Sequence, residues 1–311
     1  MTSVRDLRPT DIVAFAAFEA KASPNLARTR ERLQQESRGP LSLNALIEPW
    51  LPTEPRRTIV AAEGLALRGL ASARQRRKST VWEVDWLVVG DDAERGGITI
   101  ALLELMVVRC AEAGAHRVFL RVPREGIFVD AARRASFWPY ASETVFVRAA
   151  GTKPTITAVP EGLRPRAKTD DYPLFRLYSA VVPSAVRSAE GMTLEEWSAG
   201  QEATSGKRLE FVVTREDTTE AWVWVARSRG ASQISLITAK DDEHSLTHLV
   251  QFALTQCGRR DPVVALVPDF QSGLQFALQA DWGFEEVAHY QTLIRHLPVR
   301  VAQPAFMPAR A

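Results

Sequence analysis

Cysteine occurs twice in 311 residues, at 110 and 257, too rarely for a disulfide framework or a cysteine-rich metal site. Each ends an apolar helical run, which suits a buried thiol rather than a nucleophile or a cross-link. Long apolar runs are missing as well. The longest candidate, Ile98 to Val108, is interrupted by Thr99 and Glu104 and falls short of the ~18–20 residues that span a bilayer. Charged Arg5, Asp6, Arg8 and Asp11 precede a short apolar stretch with no secretory cleavage site, so a cytoplasmic protein without membrane attachment is expected. There is no Gly-Lys-Ser phosphate loop and no Cys/His ligand framework; His244 and His248 share a helix face but lack a third ligand, so no metal is expected. Asparagine is confined to positions 25 and 44, and arginine far outnumbers lysine, a usage that accompanies either heat adaptation or genomic base composition.

What is present describes a soluble globular chain. Hydrophobic residues make up 46% and charged residues 24%, and the length suffices for two domains that each bury a core. The formal net charge of +2 is uneven: residues 1–158 hold 23 Lys+Arg against 18 Asp+Glu, the rest 16 against 19. The densest basic run, Arg74-Gln75-Arg76-Arg77-Lys78, has no aromatic interleaving; it reads as a solvated hairpin tip, and a nucleic-acid partner is not expected.

The chain carries the same unit twice. The helical run ending at Cys110 recurs in the run ending at Cys257, 147 positions later. At the same offset Ser136-Phe137 falls on Gly283-Phe284, and Phe146-Val147-Arg148 on Leu293-Ile294-Arg295. A helix end, a turn and a closing strand at one spacing indicate domain duplication rather than a solenoid. Pattern and turn signals place helices near 12–18 and 25–35, strands near 58–62, 65–73 and 81–89, a helix over 97–113, a strand over 117–122, a helix over 127–135 and a strand over 144–148. Gly151, Pro154 and Pro160 mark a linker over residues 151–161. The second unit restarts at Gly162-Leu163-Arg164-Pro165, echoing Asp6-Leu7-Arg8-Pro9, and repeats the order through a closing strand near 286–296. Domains are thus expected over 1–150 and 162–311, with a loose tail after Leu297.

This order, with a glycine-bearing turn between the fourth strand and the next helix, resembles the GNAT superfamily of acyl-CoA-dependent N-acyltransferases. The resemblance spans most of the chain and is clearest from Trp82 to Arg148. It implies an α/β fold of two tandem acyltransferase-like domains, each a mostly antiparallel mixed sheet flanked by helices. The family's turn, Gln/Arg-x-x-Gly-x-Gly/Ala, binds the CoA pyrophosphate through backbone N–H groups at a helix N-terminus. Here the matching stretch is Glu94-Arg95-Gly96-Gly97-Ile98-Thr99, with Glu94 in place of Gln or Arg and Thr99 in place of a small residue. The resemblance implies acetyl-CoA as co-substrate, held by Arg95, Gly96, Gly97, Ile98 and Thr99 and by the backbone of Leu87, Val88 and Val89. In the second unit Ala239-Lys240-Asp241-Asp242-Glu243-His244 stands at the turn, so that unit is expected to be degenerate, with a structural or substrate-cleft role.

Acetylating an amine requires a base for the ammonium and an acid for the departing thiolate. Strand alternation puts Glu83 and Asp85 on one face at ~6–7 Å spacing, where half-burial and mutual repulsion would raise one pKa. The family's base sits about where Glu83 does. Its usual tyrosine acid would fall on Ala132 or Gln279, which cannot donate, leaving Tyr140 as the candidate donor. Trp222 and Trp224 share a strand face and read as core rather than a cation cage. The expected function is transfer of an acetyl group to a small-molecule primary amine by a monomer or homodimer. The competing expectation is a catalytically inactive protein that keeps the fold to bind a ligand or partner.

Overall fold

A computed structural model describes residues 2–11, 14, 18, 24–36, 55–77, 79–90, 94–151, 154, 159–228, 230–239 and 243–298. The sequence-predicted helix over 12–18, Lys78, most of the linker, the acidic pair Asp241-Asp242 and the tail after 298 lie largely or wholly outside these residues. The first half contains β1 (Ser3–Asp6), α1 (Arg30–Glu36), β2 (Arg56–Glu63), β3 (Ala66–Gln75), β4 (Val81–Val89), α2 (Arg95–Glu112), β5 (Arg117–Pro123), α3 (Phe128–Arg134) and β6 (Trp138–Arg148). The second contains β7 (Leu163–Pro165), α4 (Asp171–Val181), α5 (Ser184–Glu190), α6 (Leu194–Gly200), β8 (Lys207–Arg215), β9 (Thr218–Ser228), β10 (Ala231–Thr238), α7 (Glu243–Thr255), β11 (Val263–Pro268), α8 (Ser272–Ala280) and β12 (Glu285–His296). No helix among the described residues is long and apolar enough to cross a membrane.

All twelve strands form one mixed sheet in the order β1-β2-β3-β4-β5-β12-β6-β11-β10-β9-β8-β7. The closing strands are exchanged. β12 pairs with β5 of the first half from Tyr290↔Pro123 to His296↔Arg117, and β6 pairs with β11 of the second from Val263↔Arg148 to Pro268↔Glu143. The cores follow: Leu293 and Leu297 are buried among first-half residues, Phe146 among second-half residues. Arg148 and Arg295, the predicted equivalents, each cross over as well. Arg148 Nε donates to the Trp282 carbonyl at 2.9 Å, Arg295 Nη1 to the Ser136 carbonyl at 3.1 Å.

Local chemistry explains the repeat. α2 buries Ile98, Leu102, Leu103, Met106 and Cys110, spaced at three and four residues, against the sheet. Gly69 permits the approach, since a Cβ there would lie 3.0 Å from Leu102 and 3.1 Å from Ile98. Ser136 (φ 62°) and Gly283 (φ 63°) share the left-handed conformation that turns each helix into its closing strand. At the unit starts the structural equivalence is offset by 159, not by the 156 of the Leu-Arg-Pro echo. Asp11 takes two Arg5 guanidinium bonds (2.7 and 2.8 Å) and the Arg8 N–H, and Asp170 takes two from Arg164 (2.8 and 2.7 Å) and the Ala167 N–H.

Candidate functional site

Glu83 and Asp85 share a face of β4, as alternation predicts, but the strand is buried throughout and their surroundings are cationic. Glu83 binds Arg74 Nε and Arg76 Nε, both at 2.8 Å. Asp85 accepts from Arg56 Nη1 at 2.8 and 2.9 Å and lies 3.6 Å from Arg32. The expected solvated basic tip is therefore mostly interior: Arg74 stands opposite Glu83 across the β3–β4 pairing, and only Arg77 of the described run is exposed. Burial pushes the Glu83 carboxyl up, but Arg76 and Arg74 outweigh it and hold it below the usual range. For Asp85 burial dominates and the carboxyl is raised despite Arg56, Arg32 and Arg74. Mutual repulsion, the expected cause, governs neither group. Glu83 is an ionised partner in a buried network, poorly suited to accepting a proton.

The parallel pair β4–β5 is joined only from Val81↔Arg117 to Glu83↔Phe119 and then diverges, opening a slot between the strands. Residues 25–28, expected to be helical, instead form no helix and cross that slot. Leu26 N–H donates to the Leu87 carbonyl (2.8 Å) and Arg28 N–H to the Arg121 carbonyl (2.9 Å), bridging the two strands. Asn25 Oδ1 accepts from Leu87 N–H (2.8 Å) and its Nδ2 donates to the Asp85 carbonyl (2.9 Å). Leu26 and Ala27 are buried in the first core. A pantetheine arm needs the same backbone groups of Leu87, which sits with Val88 and Val89 in buried strand. At the start of α2, Glu94 makes no side-chain cap, Arg95 lies 5.6 Å from the Phe128 ring, and a Cβ on Gly97 would meet nothing within 4 Å. Ile98 and Thr99 face the core, Thr99 donating to the Arg95 carbonyl at 2.7 Å. As folded, the first half joins an open glycine turn to a filled slot, and so does not fit the donor.

In the second half β10 and β11 pair from Ser232↔Val263 to Ile234↔Ala265 and diverge in the same way. Here Gln271, beyond β11, reaches over to the Leu236 carbonyl of β10 at 3.0 Å, and the two line a cavity of about 100 Å³ together with Ser235 and Ile237. α4, α5 and α6 cover it. Their delivery of one carboxylate depends on a turn: α5 ends at Glu190, and Gly191 (φ 154°) passes where a Cβ would lie 2.4 Å from the Trp197 backbone nitrogen. Thr193 and Glu196 then form the capping box that starts α6 and set Trp197 against Tyr178 and Trp222 at centroid distances of 5.7 and 5.9 Å.

Glu190 faces this cavity. Its carboxylate accepts from the Tyr178 hydroxyl at 3.0 Å and from the Tyr140 hydroxyl at 3.5 Å. Burial and the neighbouring Glu143 push its pKa up to about 7, with the Tyr178 bond and Arg30 pulling the other way. Burial and Glu190 keep the Tyr140 phenol well above its ordinary range, so it remains a donor. Of the residues predicted from sequence, Tyr140 alone reaches this carboxylate. Sequence pattern does not mark Glu190 or Tyr178; the capping box Thr193-x-x-Glu196 behind Gly191 marks the helix pair, though not the acid. His248 lies apart, beside Val159 and Glu220, and no cluster of metal-ligating side chains forms among the described residues.

No protein-family model and no curated protein matches this chain in sequence. Solved structures do match in fold. A GCN5-related N-acetyltransferase from Sphaerobacter thermophilus superposes with a TM-score of 0.57 at 16% identity, over 95% of this chain and 95% of that one. A tandem GNAT protein from the clavulanic acid biosynthesis pathway gives a TM-score of 0.52 at 14% identity, over 95% and 98%. The likeness runs through both halves, and at these identities it is one of fold: two GNAT units in tandem.

Proposed function

We propose that this tandem GNAT fold is an acyl-CoA-dependent N-acyltransferase that acetylates a small primary amine, with its acceptor in the cavity beside Glu190. The observation that carries the reading is a carboxylate with a pKa near 7 between two phenol donors, in a cavity also lined by the strand edge Ser235–Ile237. A base poised near neutral pH suits removal of a proton from an ammonium group. Glu190 receives that proton, and the Tyr140 hydroxyl, held protonated, is the donor for the leaving group. Acetyl-CoA supplies an activated acyl thioester. Its acyl arm is assigned to the strand edge Ser235–Ile237, where the single Gln271 side chain rather than the backbone of Asn25–Arg28 stands in the way. The two free, buried thiols accord with a cytoplasmic setting.

A second reading, a protein that binds an amine without acyl transfer, is favoured by the filled first slot. Calorimetric titration with acetyl-CoA separates the two. Micromolar binding that survives Gly97→Trp and disappears in Ser235→Trp supports the proposal. Loss in Gly97→Trp alone returns the donor to the first half. Absence of binding, with no acetyl transfer to a panel of amines, leaves the binding reading.

A further inference from the structure

Charges around the cavity beside Glu190 pair off unequally. Arg121 binds Glu143 at 2.6 Å and Glu202 at 2.7 Å, and Arg30 lies 3.6 and 3.5 Å from the same two carboxylates. Those acids are matched. Glu190 forms no ion pair among the described residues and meets only phenol hydroxyls. On the cationic side, Arg208 stacks 4.6 Å from the Trp224 ring and 5.3 Å from the Trp222 ring, with Glu210 3.3 Å from its Nε. Arg30 Nη1 is nonetheless buried with no hydrogen-bond partner, and Arg208 reaches Glu210 only through that contact and a 3.4 Å bond from Nη2. Both arginines line the same cavity as Glu190. Buried guanidinium N–H groups seldom stay unbonded in a finished site. The cavity thus offers one unmatched carboxylate and two guanidinium donors, over walls of Trp197, Trp222 and Trp224.

We infer that the cavity recognises a small free amino acid, its ammonium against Glu190, its carboxylate against Arg208 and Arg30, and its apolar side chain among the tryptophan rings. The inference rests on the acyltransferase reading in treating this cavity as the acceptor's, but the binding needs no acyl donor. A simple amine would leave Arg30 Nη1 unbonded and Arg208 on its long Glu210 contacts, and a polyamine would add cations beside them.

The test is calorimetry on the full chain without acyl donor, after a thermal-shift screen of the twenty genetically encoded amino acids. L-leucine is compared with 3-methylbutylamine, which lacks the carboxylate, and with 4-methylpentanoate, which lacks the amine. The amino acid is expected to bind at least tenfold more tightly than either analogue, because a site built around a polar group rejects ligands that lack it. Arg208→Met is expected to erase the preference over the amine, and Glu190→Gln the preference over the acid, with near-ultraviolet circular dichroism checking the fold. Arg208→Lys, which keeps the charge and loses the fork, retains part of the preference. Equal binding of L-leucine and 3-methylbutylamine, an unchanged preference in Arg208→Met, or no amino acid bound in the screen would overturn the inference. Amino acid binding without acetyl transfer would instead sink the acyltransferase reading and leave the inference standing.

Discussion

At the scale of single residues, Glu83 and Glu190 differ in what surrounds a buried carboxylate. Glu83 faces two arginines at 2.8 Å and stays ionised. Glu190 faces Tyr178 and Tyr140 directly, with Glu143, Glu202 and Arg30 further off, and is pushed up to about 7. Acyl transfer is expected to rise with pH up to about 7 as Glu190 ionises and then to level, and Glu190→Gln to lower kcat/KM by about 10²–10⁴ and abolish that rise. Stability runs the other way. The raised pKa favours the folded state fully below 4.5, and this contribution is lost as pH climbs to about 7. The urea midpoint of the native chain should therefore fall between those values, and that of Glu190→Gln should fall less. An unchanged slope in the variant would mean that another group titrates there.

Secondary-structure elements explain why two similar units differ. Both parallel pairs separate after three residue pairs, so the slot belongs to the fold, and what occupies it is decided by a neighbouring segment. In the first half that segment carries Asn25, one of only two asparagines in the chain, whose side chain bonds three backbone groups in the slot. Asn25→Ala would leave Leu87 N–H and the Asp85 carbonyl buried without these partners. A loss of about 2–3 kcal/mol is expected, read as a shifted urea midpoint. A segment that merely covered the slot from outside would show no such loss.

For the whole molecule, exchange of β6 and β12 makes the halves one structure. Each core contains a residue from the other half's closing strand, and the free edges of the sheet are the short strands β1 and β7. A chain ending at residue 284 lacks Leu293 and Leu297 and leaves β5 and β6 unpaired along their β12 edges. Such a chain is expected to exchange the amide hydrogens of β4 and β5 as fast as an unfolded one. Protection retained there would show the first half closing its own sheet with β6.

Much of this arrangement could be read along the chain because it depends on short-range periodicity. Helix and strand spacing, the Cys110 and Cys257 helix ends and the Ser136 and Gly283 turns are properties of neighbouring residues, and alternation alone put Glu83 beside Asp85. Helix pattern did not identify residues 25–29, where Asn25 prefers backbone groups 60 positions away to a helical turn. Three further outcomes depended on contacts between distant segments. Burial against Arg74 and Arg76 turned Glu83 from a candidate base into an ion-pair partner. The pairing order sent each closing strand to the opposite half, although both strands read alike in sequence. Glu190, an unremarkable glutamate at a helix end, acquired its raised pKa only when packing buried it near Glu143 of β6, because desolvation and neighbouring charge arise from packing and not from order along the chain.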